Sequence, residues 1–540
     1  MKLFSLCFLL FFIFCFSIPA QEPENEPELI PEIDGFTGYS PQEQEEDDSI
    51  FVITSFIYNV TGRTRPYMLN KKAEFKIGEE IRGRKNFEKF IREKRQLLIN
   101  ERVLKDNVVV EYSITEINEE GKFPVEIEIL TEDTRNIIAF PQPSYNSNYG
   151  LELALKARDY NFLGTMNPLK IDLSYKFNQY GETKFSLLVD AGVPFEALNL
   201  DWFVDFDNYF DYSSDLSHPF FYKNRTSLSL DIPVKRATFN VWFAESIVLN
   251  EENEKSDWPL YGDVQAGLYM VSNPGISWLV PTGLLAGNFG ELEYKPSIHA
   301  EFYHEFSKWP LSENRVGPFF TFYHYLGFER IDWKNNLREG LSVYADNSYR
   351  FDVHYQKKND KVNYYPWEIY YSVNATGHFI FVDDWIGLSA RLYHRHWIKT
   401  YYEYAGDVVR GVYDNVSDPK YGKDAKIEMM LCANLDFQFK AIRFLPSKWF
   451  PKLRFMRVFD FDMLINPFID AAWYKPLDQK ASADSKFFFL GSGIEFIIFP
   501  HRFRSLFFRV STAWDFSDIP RKVPNFVKDL ELNLEMGFHY

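Results

Sequence analysis

Cysteine is nearly absent. Of three in 540 residues, Cys7 and Cys15 lie in the N-terminal apolar segment, and only Cys432 lies beyond it. One cysteine cannot form an intrachain disulfide or a multi-cysteine zinc site. Positive charge is also short: 59 Lys and Arg face 76 Asp and Glu, a formal net charge of −17. Phosphate binding needs a basic excess, which argues against nucleic acid as a main partner. No Gly-x-Ser-x-Gly nucleophile elbow and no phosphate-cradling glycine loop occurs, so no enzyme activity and no cofactor is expected. His299, Glu301 and His304 lie close together, as do His394 and His396. They read as lumen or interfacial histidines, and no metal site is expected.

Long apolar runs are missing too. After residue 20 none approaches the ~20 residues that a membrane-crossing helix needs. If the chain enters a membrane, it must do so as a closed barrel. Residues 1–20 read as a secretory signal: Lys2 supplies the positive start, Leu3 to Phe16 the apolar run, and Ala20 the small residue before the cut. Residues 21–49 read as an acidic, proline-rich linker, with Pro23, Pro27, Pro31 and Pro41 ahead of Glu45-Glu46-Asp47-Asp48. Such a stretch cannot bury a core.

Aromatic rings, by contrast, are abundant. They make up 18% of the chain, with 54 Phe and 33 Tyr, and transmembrane barrels use such rings as girdles at both interfaces. Residues 50–135 read as a compact α/β domain in the order strand, helix, helix, strand, strand. Phe51 to Tyr58 is a β-branched and aromatic run. Phe87, Phe90, Ile91, Leu97 and Leu98 fall on one helical face. Val108 to Ile114 and Val125 to Ile129 follow as strands around Gly121. From 136 to 540 the texture becomes period two in segments of about ten residues, such as Leu169-Lys170-Ile171-Asp172-Leu173-Ser174-Tyr175. The fold class expected is therefore mainly β: a transmembrane barrel of about sixteen strands, about eleven before residue 400 and five after 425, preceded by the small α/β domain. The end of the chain is the sharpest local pattern. Leu530, Leu532, Leu534, Met536, Phe538 and Tyr540 alternate with Glu531, Asn533, Glu535, Gly537 and His539, which predicts a lipid-facing and a lumen-facing set.

Val409-Arg410-Gly411-Val412-Tyr413 resembles the Val-Arg-Gly-aromatic motif at the tip of the long sixth extracellular loop in the BamA superfamily. Ala433-Asn434-Leu435-Asp436-Phe437-Gln438-Phe439 resembles the strand returning from that loop. Phe468-Ile469-Asp470-Ala471-Ala472 resembles the family's Phe-x-Asp-x-Gly motif. The α/β domain is similar to a POTRA module, and Ile137 to Pro141 with Asn161 to Thr165 to the family's entry into the barrel. The resemblance covers residues 51–540. Val412 stands where an aromatic is usual, Ala472 replaces the glycine, and only one POTRA domain fits before the barrel.

The resemblance implies that the loop folds back into the lumen and that Arg410 meets Asp470 beside Phe468. It implies an outer-membrane insertase or polypeptide translocase in a diderm bacterium, of the surface-antigen kind, with the POTRA domain in the periplasm. Its partners would be unfolded outer-membrane or secreted polypeptides, the lipid bilayer, and periplasmic chaperones or accessory proteins. The working seam would lie between a first strand near Tyr149 to Ala157 and the last strand, weakened by Gly537. Val125 to Ile129 or Phe51 to Tyr58 would offer a sheet edge to an extended client. The competing readings are a passive, porin-like channel, which needs neither a POTRA domain nor an inward loop, and a secreted soluble β protein.

Overall fold

The computed structural model of the protein describes residues 49–118, 121–146, 150–177, 183–213, 220–250, 268–286, 290–305, 318–353, 367–382, 385–398, 409–410, 427–476, 488–503, 506–517 and 530–538. The chain divides into two compact units, one of them small and built around residues 50–132. Its elements are β1 (Ile50–Thr61), α1 (Pro66–Ala73), β2 (Glu80–Arg82), α2 (Arg84–Asn100), β3 (Val109–Ile114) and β4 (Phe123–Glu132). The sheet order is β2-β1-β4-β3, with β1 parallel to β4. Helix α2 buries Phe87, Ile91 and Leu98 on one face, as the helical spacing requires. Phe87 stacks on Phe51 at 4.8 Å and meets Tyr112 edge-on at 5.0 Å. Val125, Ile127 and Ile129 of β4 are buried while Glu126 and Glu128 are exposed, so one sheet face alone is covered.

This order removes one of the two expected edges. β4 is paired on both sides, by β1 and by β3, so Val125 to Ile129 has no free backbone to offer. The strands with an open side are β3 and the part of β1 beyond Val52, where pairing to the short β2 stops.

The second unit is a closed barrel of eighteen strands, β5 (Ile137–Asn146) to β22 (Leu530–Phe538). Neighbours in sequence pair antiparallel, and closure leaves no sheet edge. The count is two above the expected sixteen, and both extra strands precede the loop at 399–426. One is β5, whose Pro141 and Pro143 make it read as an entry segment rather than a strand. The other lies where β12 (Leu268–Leu285) carries Pro274, Gly275, Pro281 and Gly283. The first barrel strand is therefore β5, and the segment beginning near Tyr149 is the second, β6 (Gly150–Asp159).

Connections alternate in length. At the end where β5 starts they include two-residue turns at 198–199, 235–236 and 335–336. Leu198 and Asn199 both have φ near +57°, the left-handed geometry that matches strand twist in tight hairpins. The opposite end holds the long connections, among them residues 250–267 and 399–426.

Faces alternate as well. On β19 (Phe461–Pro476), Leu464, Asn466, Phe468 and Asp470 are buried toward the lumen, while Ile469 and Trp473 are 48% and 41% exposed on the outside. Leu153, Phe243, Leu392, Leu431, Phe437 and Phe496 are further outward apolar side chains on other strands. A water-soluble surface rarely carries so continuous an apolar band, and a bilayer requires one.

Candidate functional site: the loop clasp and the barrel seam

β17 (Ile386–Ile398) and β18 (Ile427–Phe444) are joined by a long connection, of which Val409 and Arg410 are described. Both lie against the lumen wall formed by β18, β19 and β20 (Phe488–Pro500). Val409 is buried with Tyr393, Met430, Cys432, Ala472 and Phe489. Arg410 is held by three carboxylates. Its backbone N–H donates to Asp470 Oδ2 at 2.9 Å and its Nε to the same oxygen at 2.7 Å, while Nη2 donates to Asp470 Oδ1 at 2.8 Å. Nη2 also donates to Asp436 Oδ1 at 2.8 Å, and Nη1 lies 3.1 Å from Glu495 Oε1. The planar guanidinium fork matches a carboxylate through two parallel bonds, which lysine cannot do. Below the fork, the Phe468 ring centroid is 3.7 Å from the guanidinium carbon, a close cation–π contact. Burial by itself would lower the guanidinium's pKa, but the hydrogen bond to Asp470 and the three carboxylates raise it above its ordinary value.

The strand register makes room for this. Asp470 stands opposite Gly491, and Phe468 opposite Gly493. A Cβ on Gly491 would lie 1.8 Å from the Arg410 carbonyl oxygen, and one on Gly493 2.8 Å from the Phe468 ring. The two glycines let the loop backbone touch the wall and let the ring lie flat. Asn466 completes the carboxylate set, donating to Glu495 Oε2 at 2.8 Å and to Asp436 Oδ1 at 3.2 Å.

Of the residues singled out from sequence, Val409, Arg410, Phe468 and Asp470 come together here. Gly411 and Tyr413 lie outside the described residues, as does Tyr540. Gly537 and Phe538 are on β22, opposite Phe507 and Leu506 of β21 (Leu506–Asp515), and apart from the clasp. Asp436, Glu495, Gly491 and Gly493 were not foreseen. Their signal is parity: Asp436 shares its strand face with Asn434, opposite Asp470, and Gly-x-Gly on one strand face marks a close backbone approach. His299 and His304 are on opposite faces of their strand, whereas His394 and His396 share the outward face and both pack against Tyr371; His396 also contacts Glu428.

The seam is the second feature. β22 neighbours β5, where the expected partner was the segment near Tyr149. The Tyr160 N–H donates to the Asn136 carbonyl at 2.9 Å, and the same register runs unshifted from Ile137↔Asp159 to Asn146↔Gly150. In an antiparallel ladder successive residues turn their backbone groups to alternate sides. Asn136 and the even-numbered residues of β5 therefore face β6, and the odd-numbered ones face β22. Pro141 and Pro143 are odd, so both missing N–H donors fall on the seam.

No protein-family model and no curated protein matches the sequence. Among solved structures, CdiB from Acinetobacter baumannii is 12% identical, with 91% of this chain and 74% of that one covered and a TM-score of 0.42. BamA from Haemophilus ducreyi, lacking POTRA domains 1–3, is 12% identical over 91% and 85%, with a TM-score of 0.38. FauA, the alcaligin outer membrane receptor from Bordetella pertussis, is 10% identical over 80% and 81%, with a TM-score of 0.33. Likenesses at this distance carry no argument about function.

Proposed function

We propose that this chain is a BamA-superfamily barrel of the outer membrane that inserts or translocates polypeptides through a gated seam. The observation that carries the reading is the Arg410 clasp: the loop tip is tied to the lumen wall by Asp470, Asp436 and Glu495. A passive pore has no need of a loop fixed inside its own passage. The apolar outer band supports a bilayer setting, with the short-turn end toward the periplasm.

The seam supports a mechanism. Two prolines strip donors from the β5 side, so opening this junction forfeits fewer hydrogen bonds than opening any regular pair. An opened junction exposes backbone groups that a client strand can satisfy, and the client's own burial and pairing supply the driving force. No nucleotide is required. The small α/β unit has POTRA-like order, and its edge strand β3 is available to an extended polypeptide.

Depletion of the protein followed by a census of outer-membrane proteins tests this. Loss of a defined set of barrels or of surface-exported chains is expected. An unchanged census, together with a large, steady, solute-selective conductance in planar bilayers, would establish the passive channel instead.

A further inference from the structure

From Phe437 to Phe459 the chain carries Lys440, Arg443, Lys448, Lys452, Arg454 and Arg457 and no acidic residue, in a protein whose net charge is −17. Much of this stretch is the connection between β18 and β19, residues 445–460, at the short-turn end of the barrel. It is built, not slack. α3 (Pro446–Trp449) opens it, and the Phe450 N–H donates to the Pro446 carbonyl at 3.0 Å. The Leu453 N–H donates to the Phe450 carbonyl at 3.0 Å and the Met456 N–H to the Leu453 carbonyl at 2.9 Å. The Asp460 carboxylate accepts from the Ser447 N–H at 3.1 Å and from its hydroxyl at 2.5 Å.

On this fixed frame large apolar side chains are exposed: Trp449 is 63% exposed, Phe450 50%, Leu453 43% and Phe455 43%. Lys448, Lys452 and Arg457 are exposed beside them. Such a patch in water is a liability unless something covers it. Its position says what does. Phe444 pairs with Phe461 on the outward face, and Trp449 packs edge-on against Phe444 at 5.2 Å. The patch thus continues the exposed outward column of Phe437, Phe439 and Ile442 on β18 down past the barrel rim.

We propose that this turn is an interfacial foot that binds anionic phospholipid headgroups of the leaflet at the short-turn end. Lys448, Lys452 and Arg457 meet the phosphates, and Trp449, Phe450 and Phe455 sit at the boundary with the acyl chains, the level that aromatic rings favour. The foot rests on the reading of the unit as a membrane barrel. It stands on the arc that carries the clasp, three strands from the seam.

The test uses the full-length protein in phosphatidylcholine vesicles containing phosphatidylglycerol, spin-labelled at Leu453→Cys. Cys7 and Cys15 are replaced by serine, and Cys432 is buried and takes no label. The label at 453 is expected to meet dissolved oxygen in preference to an aqueous nickel chelate, at headgroup depth. Lys452→Ala should reduce the retention of phosphatidylglycerol over phosphatidylcholine about fivefold, the effect of one cation at a charged surface. A second label at Ile469→Cys, mid-strand on the outward face, serves as reference. A deep label at 469 with a water-exposed one at 453 overturns the foot alone. Water exposure at both overturns the membrane reading with it.

Discussion

The wall of β18, β19 and β20 and the junction of β22 with β5 are both antiparallel pairings in one barrel, yet they are held very differently. The wall is cross-tied from inside by a guanidinium that engages three carboxylates and a ring, with glycines placed to admit the loop. The junction is short of two backbone donors. Under the proposed mechanism, a cylinder with one reinforced arc and one depleted arc would open at the depleted one, so that the barrel stays stable as a whole while one strand pair exchanges.

Four sets of substitutions break or sharpen this contrast. The largest effect is expected for Asp470→Ala, which leaves Arg410 without its bidentate partner in a mostly buried site. Loss of one member of such a pair costs about 3–5 kcal/mol, and thermal unfolding of the detergent-extracted barrel reads it. Arg410→Ala should cost at least as much, since it leaves three carboxylates without their cation, and the double mutant less than the sum, since both changes remove the same contact. Next is Gly491→Ala, whose Cβ would overlap the Arg410 carbonyl oxygen. About 1–3 kcal/mol of destabilisation is expected, with protease access to the loop as the readout. On the opposite arc, Pro141→Thr with Pro143→Thr restores two donors and should stabilise the seam by about 1–3 kcal/mol in total, slowing client assembly while raising the unfolding temperature. The smallest effect is expected for Glu495→Gln: its single oxygen can accept from Asn466, but its NH2 then faces the Arg410 guanidinium, which Asp470 and Asp436 still hold. About 1 kcal/mol should be lost in the same unfolding assay.

Much of this was legible from residues alone, for physical reasons. Period-two alternation survives wherever one strand face meets lipid and the other the lumen, so the barrel could be read directly, although β19, with Leu464 and Phe468 on its inward face, does not alternate cleanly. The pairing of Arg410 with Asp470 was legible through the resemblance of two short motifs, not through spacing, since sixty residues separate them. The first barrel strand was not legible. Pro141 and Pro143 are strand breakers in a continuous ladder, and they are tolerated in β5 because their nitrogens face the seam and not β6. Of the two expected edges of the small sheet, β1 keeps an open side beyond Val52, while β4 does not and was misjudged for a related reason. β4 alternates cleanly, as a half-covered strand does, but alternation reports faces and says nothing about which strands flank it. Asp436 and Glu495 entered the site only once the register aligned them with Asp470 and Asn466.

The central claim is that the β5–β22 junction must part for polypeptide handling. The direct measurement is client assembly after disulfide locking of that junction, with a cysteine at Ser144 paired against a series from Leu530 to Leu534 and a reductant-released control. The account predicts that the locked barrel folds, fails to assemble its clients, and recovers when reduced. Undiminished assembly with the junction fully cross-linked would contradict it.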